Sequence, residues 1–162
     1  MDFFLVDARG NSFYKERKIV GLDPAYDLSI LKVGVEGFEL KLILLGISRD
    51  LRVGQSYFAI GNPFGYKNTL MTRVVSGLGK EIPFPNGKAI REAIQTNAAI
   101  NADNSYGPLM DSYCHVIGVN TTTLLKKGTG VSSSVNIAIL IDTIVRTIPY
   151  LLVYGTPYSD RF

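Results

Sequence analysis

A serine within a run of small and turn-forming residues is the first feature of this sequence that could carry chemistry. Ser105 lies in residues 101–109 (NADNSYGPL), between two runs of strand-like composition. Such a serine can act as a nucleophile when a neighbouring base takes its proton, although most loop serines only hydrogen-bond the local backbone. The G-x-S-x-G turn of α/β-hydrolases is excluded, because Asp103 occupies the place of the first glycine and strands do not alternate with helices.

The other reactive side chains are few. The chain has one cysteine, Cys114, and one histidine, His115, so it offers neither an internal disulfide nor a His/Cys metal cluster, and we expect no metal and no cofactor. His115 follows Ser105 by ten residues on a strand that leads away from it, which favours a surface or hairpin histidine over a catalytic base. Residues 77–80 (GLGK) lack the G-x-x-x-x-G-K-[ST] spacing of a phosphate-binding loop.

Short strands joined by tight turns must position these residues. Runs rich in Val, Ile, Tyr and Phe are separated by turns that contain Gly, Pro and Asn. We predict strands at residues 3–6, 18–22, 28–33, 38–45, 57–60, 70–78, 89–96, 116–125 and 135–141. The pair Asn86-Gly87 predicts a hairpin turn, and residues 128–134 predict a flexible loop.

Only one stretch has helical spacing. Apolar residues recur at three and four residues after Ile141, with Asp142 as the predicted cap and Pro149 as the predicted stop. Many short strands followed by one late helix predict an all-β barrel or sandwich.

Composition narrows the possible partners. The net charge of +3 is spread along the chain without a dense basic face, which argues against nucleic-acid binding. The apolar runs are too short for a membrane span. The first residues have neither the basic region nor the apolar run of a signal or transit peptide.

Five motifs, in order over almost the whole chain, resemble the Deg (HtrA-type) serine proteases. They are D-P-A-Y-D-L-S-I-L-K-V at 23–33, V-G-Q with A-I-G-N-P-F-G at 53–65, I-Q-T-N-A-A-I-N at 94–101 leading into the serine segment, V-I-G-V-N at 116–120, and V-N-I-A-I at 135–139. The ending at residues 150–158 is most similar to the thylakoid-lumen member that carries no PDZ domain.

The resemblance implies a chymotrypsin-like double β-barrel with the active site between the barrels. We expect a partial first barrel at residues 1–56, a fuller second barrel at 57–148, and a tail at 149–162 with no PDZ domain. Ser105 matches the nucleophile and Asp27 the aspartate that orients the catalytic histidine. The histidine itself belongs to a family segment that precedes Met1, so this chain is expected to lack it.

Several departures from the family pattern fall around the same site. Asp103 replaces the glycine whose N–H forms the oxyanion hole with that of Ser105, and Tyr106 replaces the glycine after the serine. The substrate-binding strand is expected at Ser134, Val135 and Asn136, where Ser134 stands for a glycine. Further replacements are Asn97 for an aspartate and Arg73 for a glycine. Together with the missing histidine they predict loss of hydrolysis.

Three interpretations of function remain open. The chain is a truncated, degenerate protease domain, or a pseudoprotease that captures unfolded or damaged protein segments or joins an oligomer with a full-length Deg paralogue, or a non-functional gene product. The resemblance implies the chloroplast thylakoid lumen, whereas the chain by itself shows no transit peptide.

Overall fold

The computed structural model describes residues 2–6, 9–37, 41–61, 69–83, 89–96, 106–121 and 136–156. They fall into two compact units, which we call unit 1 (Met1–Ile43 with Arg146–Phe162) and unit 2 (Leu44–Val145). Unit 1 contains the strands β1 (Asp2–Val6), β2 (Ser12–Asp23) and β3 (Leu28–Val33). Unit 2 contains β4 (Ser56–Gly61), β5 (Thr69–Pro83), β6 (Ala89–Thr96), β7 (Pro108–Met110), β8 (Val116–Thr121) and β9 (Asn136–Leu140). The helix α1 (Ile141–Tyr154) begins in unit 2 and ends in unit 1.

The strands of unit 1 form an antiparallel sheet in the order β1-β2-β3. Phe4 pairs with Tyr14 across β1 and β2, and their rings lie 5.2 Å apart at 56°, a tilted contact of the kind that stabilises strand pairs. A bulge between Ile19 and Gly21 shifts the β2–β3 register. Phe4 and Val6 on the outer strand β1 are exposed, so this edge leaves apolar surface in water.

The second half of α1 packs on β2 within unit 1. Leu151 is buried, and a side chain at Gly21 would come within 2.6 Å of its carbonyl oxygen, so only a glycine permits this approach. The helix ends at Gly155, which has a φ of 75° and whose N–H donates to the Leu151 carbonyl (3.0 Å). The Leu22 N–H in turn donates to the Gly155 carbonyl (3.0 Å).

Unit 2 is a closed barrel with the strand order β4-β5-β6-β9-β8-β7. Closure gives every strand two neighbours and removes open edges. Strand β4 alternates as a half-buried strand should, with Tyr57 and Ala59 facing inward. The core residues are Leu51, Tyr57, Ala59, Val75, Ile94, Leu109, Ile117 and Ala138.

A reciprocal pair of hydrogen bonds ties the segment before β4 to the start of α1. The Asp142 N–H donates to Ser48 Oγ (3.1 Å), and the Arg49 N–H donates to Asp142 Oδ2 (2.9 Å). Ser48 therefore supplies the side-chain acceptor for the helix N-terminus. Asp142 lies in the first turn, where its negative charge is favourable, and satisfies a backbone donor of the opposite segment.

The all-β expectation, with one closed barrel, a partial second sheet and a short C-terminal helix, is confirmed. The predicted helix stop at Pro149 is wrong, since α1 continues to Tyr154. The predicted strand at 38–45 is wrong for residues 41–45, which contribute one parallel bridge between Leu45 and Val116. The predicted turns at 84–88 and 128–134 lie outside the described residues.

Candidate active site

Strand β7 follows the segment that carries Ser105 in the sequence, and β7 pairs with β8. Tyr106, the residue after Ser105, donates its N–H to the Asn120 carbonyl (2.8 Å), and the Asn120 N–H donates to the Gly107 carbonyl (2.9 Å). The ladder then continues with Pro108 opposite Val119. The β7–β8 pairing therefore extends to Tyr106, one peptide unit from the serine.

Tyr106 adopts a backbone conformation that disfavours every residue with a Cβ atom. Its φ is 68°, in the left-handed region, where the Cβ of an L-residue approaches the following carbonyl oxygen. Glycine enters this region without that contact. Among the described non-glycine residues, only Asp27, Tyr106 and Cys114 have a positive φ.

His115 lies in the turn at the other end of β7, where Asp111 holds it. The Asp111 N–H donates to the His115 carbonyl (3.0 Å), and the His115 N–H donates to Asp111 Oδ1 (2.9 Å). The imidazole Nδ1 lies 3.5 Å from Asp111 Oδ2, and the ring stacks on Tyr113 with centroids 6.2 Å apart. These contacts fix His115 within the β7–β8 turn, which is a structural role.

The length of β8 separates His115 from Tyr106. Tyr106 bonds Asn120, and His115 precedes Asn120 by five residues along an extended strand. At about 3.3 Å per residue this amounts to roughly 17 Å. A general base must come within about 3 Å of the hydroxyl whose proton it takes, or act through one water. The barrel thus holds His115 far from the residue that follows Ser105.

Asp27 ends the turn between β2 and β3 in unit 1. The turn opens with the buried Asp23, whose Oδ1 accepts the Ala25 N–H (2.9 Å) and closes a short side-chain turn. Asp27 is half-buried and has a φ of 54°. Aspartate tolerates the left-handed region better than most residues, so this turn fixes the Asp27 backbone immediately before β3.

The remaining predicted site residues are placed only in part. Ser105, Asp103, Asn97, Ser134 and Val135 lie outside the described residues. Asn136 opens β9, where its backbone pairs with Thr96 of β6. Arg73 is exposed on β5 and donates from its guanidinium to the Thr72 carbonyl (2.9 Å).

The described residues contain neither a candidate metal site nor a candidate membrane-spanning helix. No group of three or more His, Cys, Asp or Glu side chains in these ranges is arranged to hold a metal ion. Among the same residues, no helix has the length and apolar character needed to cross a membrane.

Two features of this site are not evident from the sequence. Strand β7 is only three residues long and begins with Pro108 directly after Gly107, a composition that indicates a turn. The left-handed backbone at Tyr106 is indicated only by the resemblance to the Deg family, in which a glycine occupies that position.

Comparisons with known proteins agree with this architecture. A model of the trypsin-like peptidase domain matches residues 3–119. Protease Do-like 5, chloroplastic, of Arabidopsis thaliana is 68% identical over 158 residues, which are 98% of this chain and 49% of that protein. Protease Do-like 1, chloroplastic, of the same plant is 43% identical over 141 residues, covering 86% of this chain and 32% of that protein. The chain thus spans half or less of the length of these relatives.

Solved structures give the same picture. The crystal structure of Deg5 superimposes with a TM-score of 0.79 at 63% identity, covering 94% of this chain and 68% of that one. The HtrA-type protease AlgW with tripeptide superimposes with a TM-score of 0.75 at 30% identity, covering 95% of this chain and 48% of that one.

Proposed function

Because the chain belongs to the Deg/HtrA family of trypsin-like serine proteases, we propose that these 162 residues form a protease domain that binds unfolded or damaged protein segments without hydrolysing them. Ser105 takes the position of the nucleophile, and Asp27 that of the carboxylate that orients a histidine base. The backbone N–H groups of Asp103 and Ser105 take the place of the oxyanion hole. The substrate backbone is received along Ser134, Val135 and Asn136.

The observation that carries the proposal is the position of the only histidine. His115 is engaged by Asp111 in the β7–β8 turn, roughly 17 Å along the chain from Asn120, the residue bonded to Tyr106. In the proposal, His115 does not reach Ser105, and without a base the Ser105 hydroxyl of these 162 residues keeps its proton and remains a weak nucleophile.

The replacements beside the serine remove the activity that a missing base would leave. Loss of one triad member in an intact protease still leaves about 10³- to 10⁴-fold catalysis over water, because the oxyanion hole and substrate binding survive. Loss of one donor of the hole lowers the rate by about a further 10²- to 10³-fold. Asp103 adds a carboxylate where negative charge must develop, and its side chain restricts the backbone that presents the N–H.

Binding depends on other parts of the domain. The barrel of unit 2 is closed, and β9, which follows Ser134 and Val135, pairs on both sides with β6 and β8. Both edges of β9 are therefore occupied, so the proposed peptide runs along the residues that precede it, Ser134 and Val135, and gains main-chain hydrogen bonds there without any chemistry at Ser105. Peptide binding can therefore be retained in a domain that has lost hydrolysis.

Location and partners extend the same proposal. The chloroplastic relatives of Arabidopsis favour the chloroplast, and the resemblance of residues 150–158 favours the thylakoid lumen. An oligomer with a full-length Deg paralogue would place this peptide-binding surface beside an active protease. Co-purification of the chain with such a paralogue tests the pairing. The reference is the amount of the paralogue that associates with itself in the same experiment.

Casein cleavage by a stepwise series of variants tests the catalytic part. The 162-residue chain is expected to release no peptides. Fusion to the histidine-bearing segment of an active relative is expected to remain inactive until Asp103→Gly and Tyr106→Gly are added. Ser105→Ala in the last variant is the control for a contaminating protease. If the fusion alone cleaves casein and Ser105→Ala abolishes the cleavage, the roles assigned to Asp103 and Tyr106 are wrong.

Binding is measured separately with the 162-residue chain. Fluorescence anisotropy of labelled, unfolded casein peptides is expected to saturate with the chain and to be unchanged by Ser105→Ala, because binding requires no nucleophile. Absence of any binding would reject peptide capture.

A further inference from the structure

Residues 44–47 (LLGI), which we call the strap, lie beside the start of β8 in unit 2. The Val116 N–H donates to the Leu44 carbonyl (2.9 Å), and the Gly46 N–H donates to the Val116 carbonyl (2.8 Å). These two bonds form the parallel bridge between Leu45 and Val116. A Cβ at Gly46 would come within 3.2 Å of the Val116 carbonyl oxygen, so the strap lies directly against β8.

The other edge of the strap is open. The bridge uses the carbonyl before Leu45 and the N–H after it, so Leu45 directs its own N–H and carbonyl away from β8. Ile47 has the same orientation, because the backbone of an extended segment alternates. None of these groups is hydrogen-bonded to another residue in the part of the chain that the structure describes. A strand edge of this kind is a template for pairing with another strand.

The side chains of the strap are aliphatic and lie in water. Leu44 is 64% exposed, Leu45 53% and Ile47 49%. Natural edge strands avoid unwanted pairing by means of charged residues and proline, and the strap contains neither. Contiguous apolar surface of this kind marks sites of interaction.

We propose that the outer edge of the strap binds an extended aliphatic segment of an unfolded protein, which adds to it as a strand. This inference rests on the ligand class of the proposed function and assigns a second site to it. Asn136 opens β9 beside the end of β8, whereas the strap is bonded to the start of β8. The two bonds to Val116 hold the strap extended before the peptide binds, which lowers the entropic cost of pairing.

A second copy of the chain is the main alternative occupant, and the size of the strap argues against it. A stable interface between folded proteins engages about 20–30 residues on each side, whereas the strap is four residues long and is followed by a bend at Ser48. If two straps paired antiparallel about Leu45, Leu44 of each would lie opposite Gly46 of the other and would gain no apolar partner. An aliphatic peptide supplies an apolar partner opposite each leucine.

The test uses the 162-residue chain and two labelled ten-residue peptides. One has a central Val-Ile-Val-Leu sequence and the other a central Ser-Thr-Ser-Thr sequence, with the same polar flanks. Fluorescence anisotropy measures binding, and amide hydrogen exchange of the strap shows where the peptide lies. With the aliphatic peptide at about ten times its dissociation constant, we expect exchange of the Leu45 and Ile47 amides to slow by about 10-fold. The Ser-Thr peptide is expected to give no protection.

Variants at Leu45 separate the backbone from the side chain. Leu45→Pro removes the outward N–H and leaves both bonds to Val116 available, whereas Leu45→Ala shortens the side chain and keeps the N–H. Judged by protection of the Ile47 amide, the proline variant should bind the aliphatic peptide about 3- to 10-fold more weakly than the alanine variant, the effect of about one hydrogen bond. Val53→Ala, at a valine of the same unit that is 64% exposed, should leave binding unchanged.

Circular dichroism checks that each variant is folded. If Leu45→Pro unfolds, Leu45→Lys takes its place, because a charge on the edge also opposes pairing with an apolar strand.

The outcomes separate this inference from the proposed function. If neither the aliphatic peptide nor unfolded casein peptides bind, both fail. If casein peptides alone bind, if the aliphatic peptide binds without protecting the strap, or if the proline and alanine variants bind it equally, the inference about the strap alone is overturned. Protection of the Leu45 amide without peptide that increases with the concentration of the chain would show a second copy as the occupant, which also overturns it.

Discussion

Replacing Tyr106 by glycine and by alanine should invert the usual order of stability of those two residues. Both substitutions delete the ring, so they differ only in the backbone. A left-handed conformation costs an L-residue about 1–2 kcal/mol, whereas glycine loses about 0.4–1 kcal/mol relative to alanine through the greater entropy of its unfolded chain. At Tyr106, where φ is 68°, the glycine variant should therefore be the more stable of the two, by about 1 kcal/mol.

Tyr113 is the reference position for this comparison. It is exposed, aromatic and in the same barrel, and its φ is not positive. There the alanine variant should be the more stable by about 0.4–1 kcal/mol. Because the entropic difference between glycine and alanine is common to both positions, the difference between the two pairs isolates the backbone strain at Tyr106, about 1–2 kcal/mol.

Urea unfolding of the four variants gives these values. The chain contains no tryptophan, so far-ultraviolet circular dichroism is the signal. With m between about 1 and 3 kcal/mol/M, a difference of 1 kcal/mol shifts the midpoint by about 0.3–1 M. Unchanged m values show that the same transition is compared. If the alanine variant is the more stable of the pair at both positions, the backbone at Tyr106 is not strained and this prediction is wrong.

Three further changes have defined outcomes. Ser48→Ala and Asp142→Ala should each lower the free energy of unfolding by about 1 kcal/mol, because each deletes one side-chain acceptor of a backbone N–H, that of Asp142 and that of Arg49 respectively. Since both hydrogen bonds join the same two segments, the double variant should lose less than the sum, which a thermodynamic double-mutant cycle measures. Gly118→Ala should destabilise the barrel by about 1–3 kcal/mol, because the new Cβ would lie 2.8 Å from the Ile139 carbonyl oxygen. The control is Gly34→Ala, whose Cβ would meet nothing within 4 Å and which should be neutral or slightly stabilising in the same urea experiment. The exposed apolar edge of β1 should make the 162-residue chain self-associate, and Val6→Lys should shift its size-exclusion elution toward the monomer. Elution of the unmodified chain as a monomer, or elution unchanged by Val6→Lys, would contradict this.

Alternation along the strands made much of the second barrel predictable from sequence. In β4, inward Tyr57 and Ala59 alternate with less buried residues, which is the pattern that identifies a strand with one face in a core. Strand β7 escaped detection because three residues are too few for a period of two to register. It exists because β4 and β8 flank it, with Leu109 opposite Ala59 on one side and Gly118 on the other.

The C-terminal helix shows how tertiary packing overrides local rules. Pro149 removes a backbone donor and usually ends a helix, yet α1 runs on to Tyr154. The burial of Leu151 against β2 at Gly21, together with the Gly155 cap, stabilises the turns beyond the proline. The sequence alone contains no sign of this contact, since Gly21 and Leu151 are 130 residues apart.

The cap at the start of α1 was predictable only in part. Asp142 lies in the first turn of α1, but its predicted role as the cap is wrong, because the helix begins at Ile141 and the side chain that accepts the Asp142 N–H is that of Ser48, 94 residues earlier. The roles of Asp27 and Ser105 rest on motif order alone and stay a prediction. The left-handed backbone of Tyr106 accompanies its pairing with Asn120, which the sequence does not display.

The most direct test of the central claim is labelling of Ser105 by a serine-directed phosphonate probe. Such probes react with a serine only when a base activates it. We predict no mass increase on the 162-residue chain under conditions that label an active HtrA-type protease to completion. Stoichiometric labelling that disappears in Ser105→Ala would contradict the account, because it would show an activated nucleophile in a chain whose only histidine is held in the β7–β8 turn.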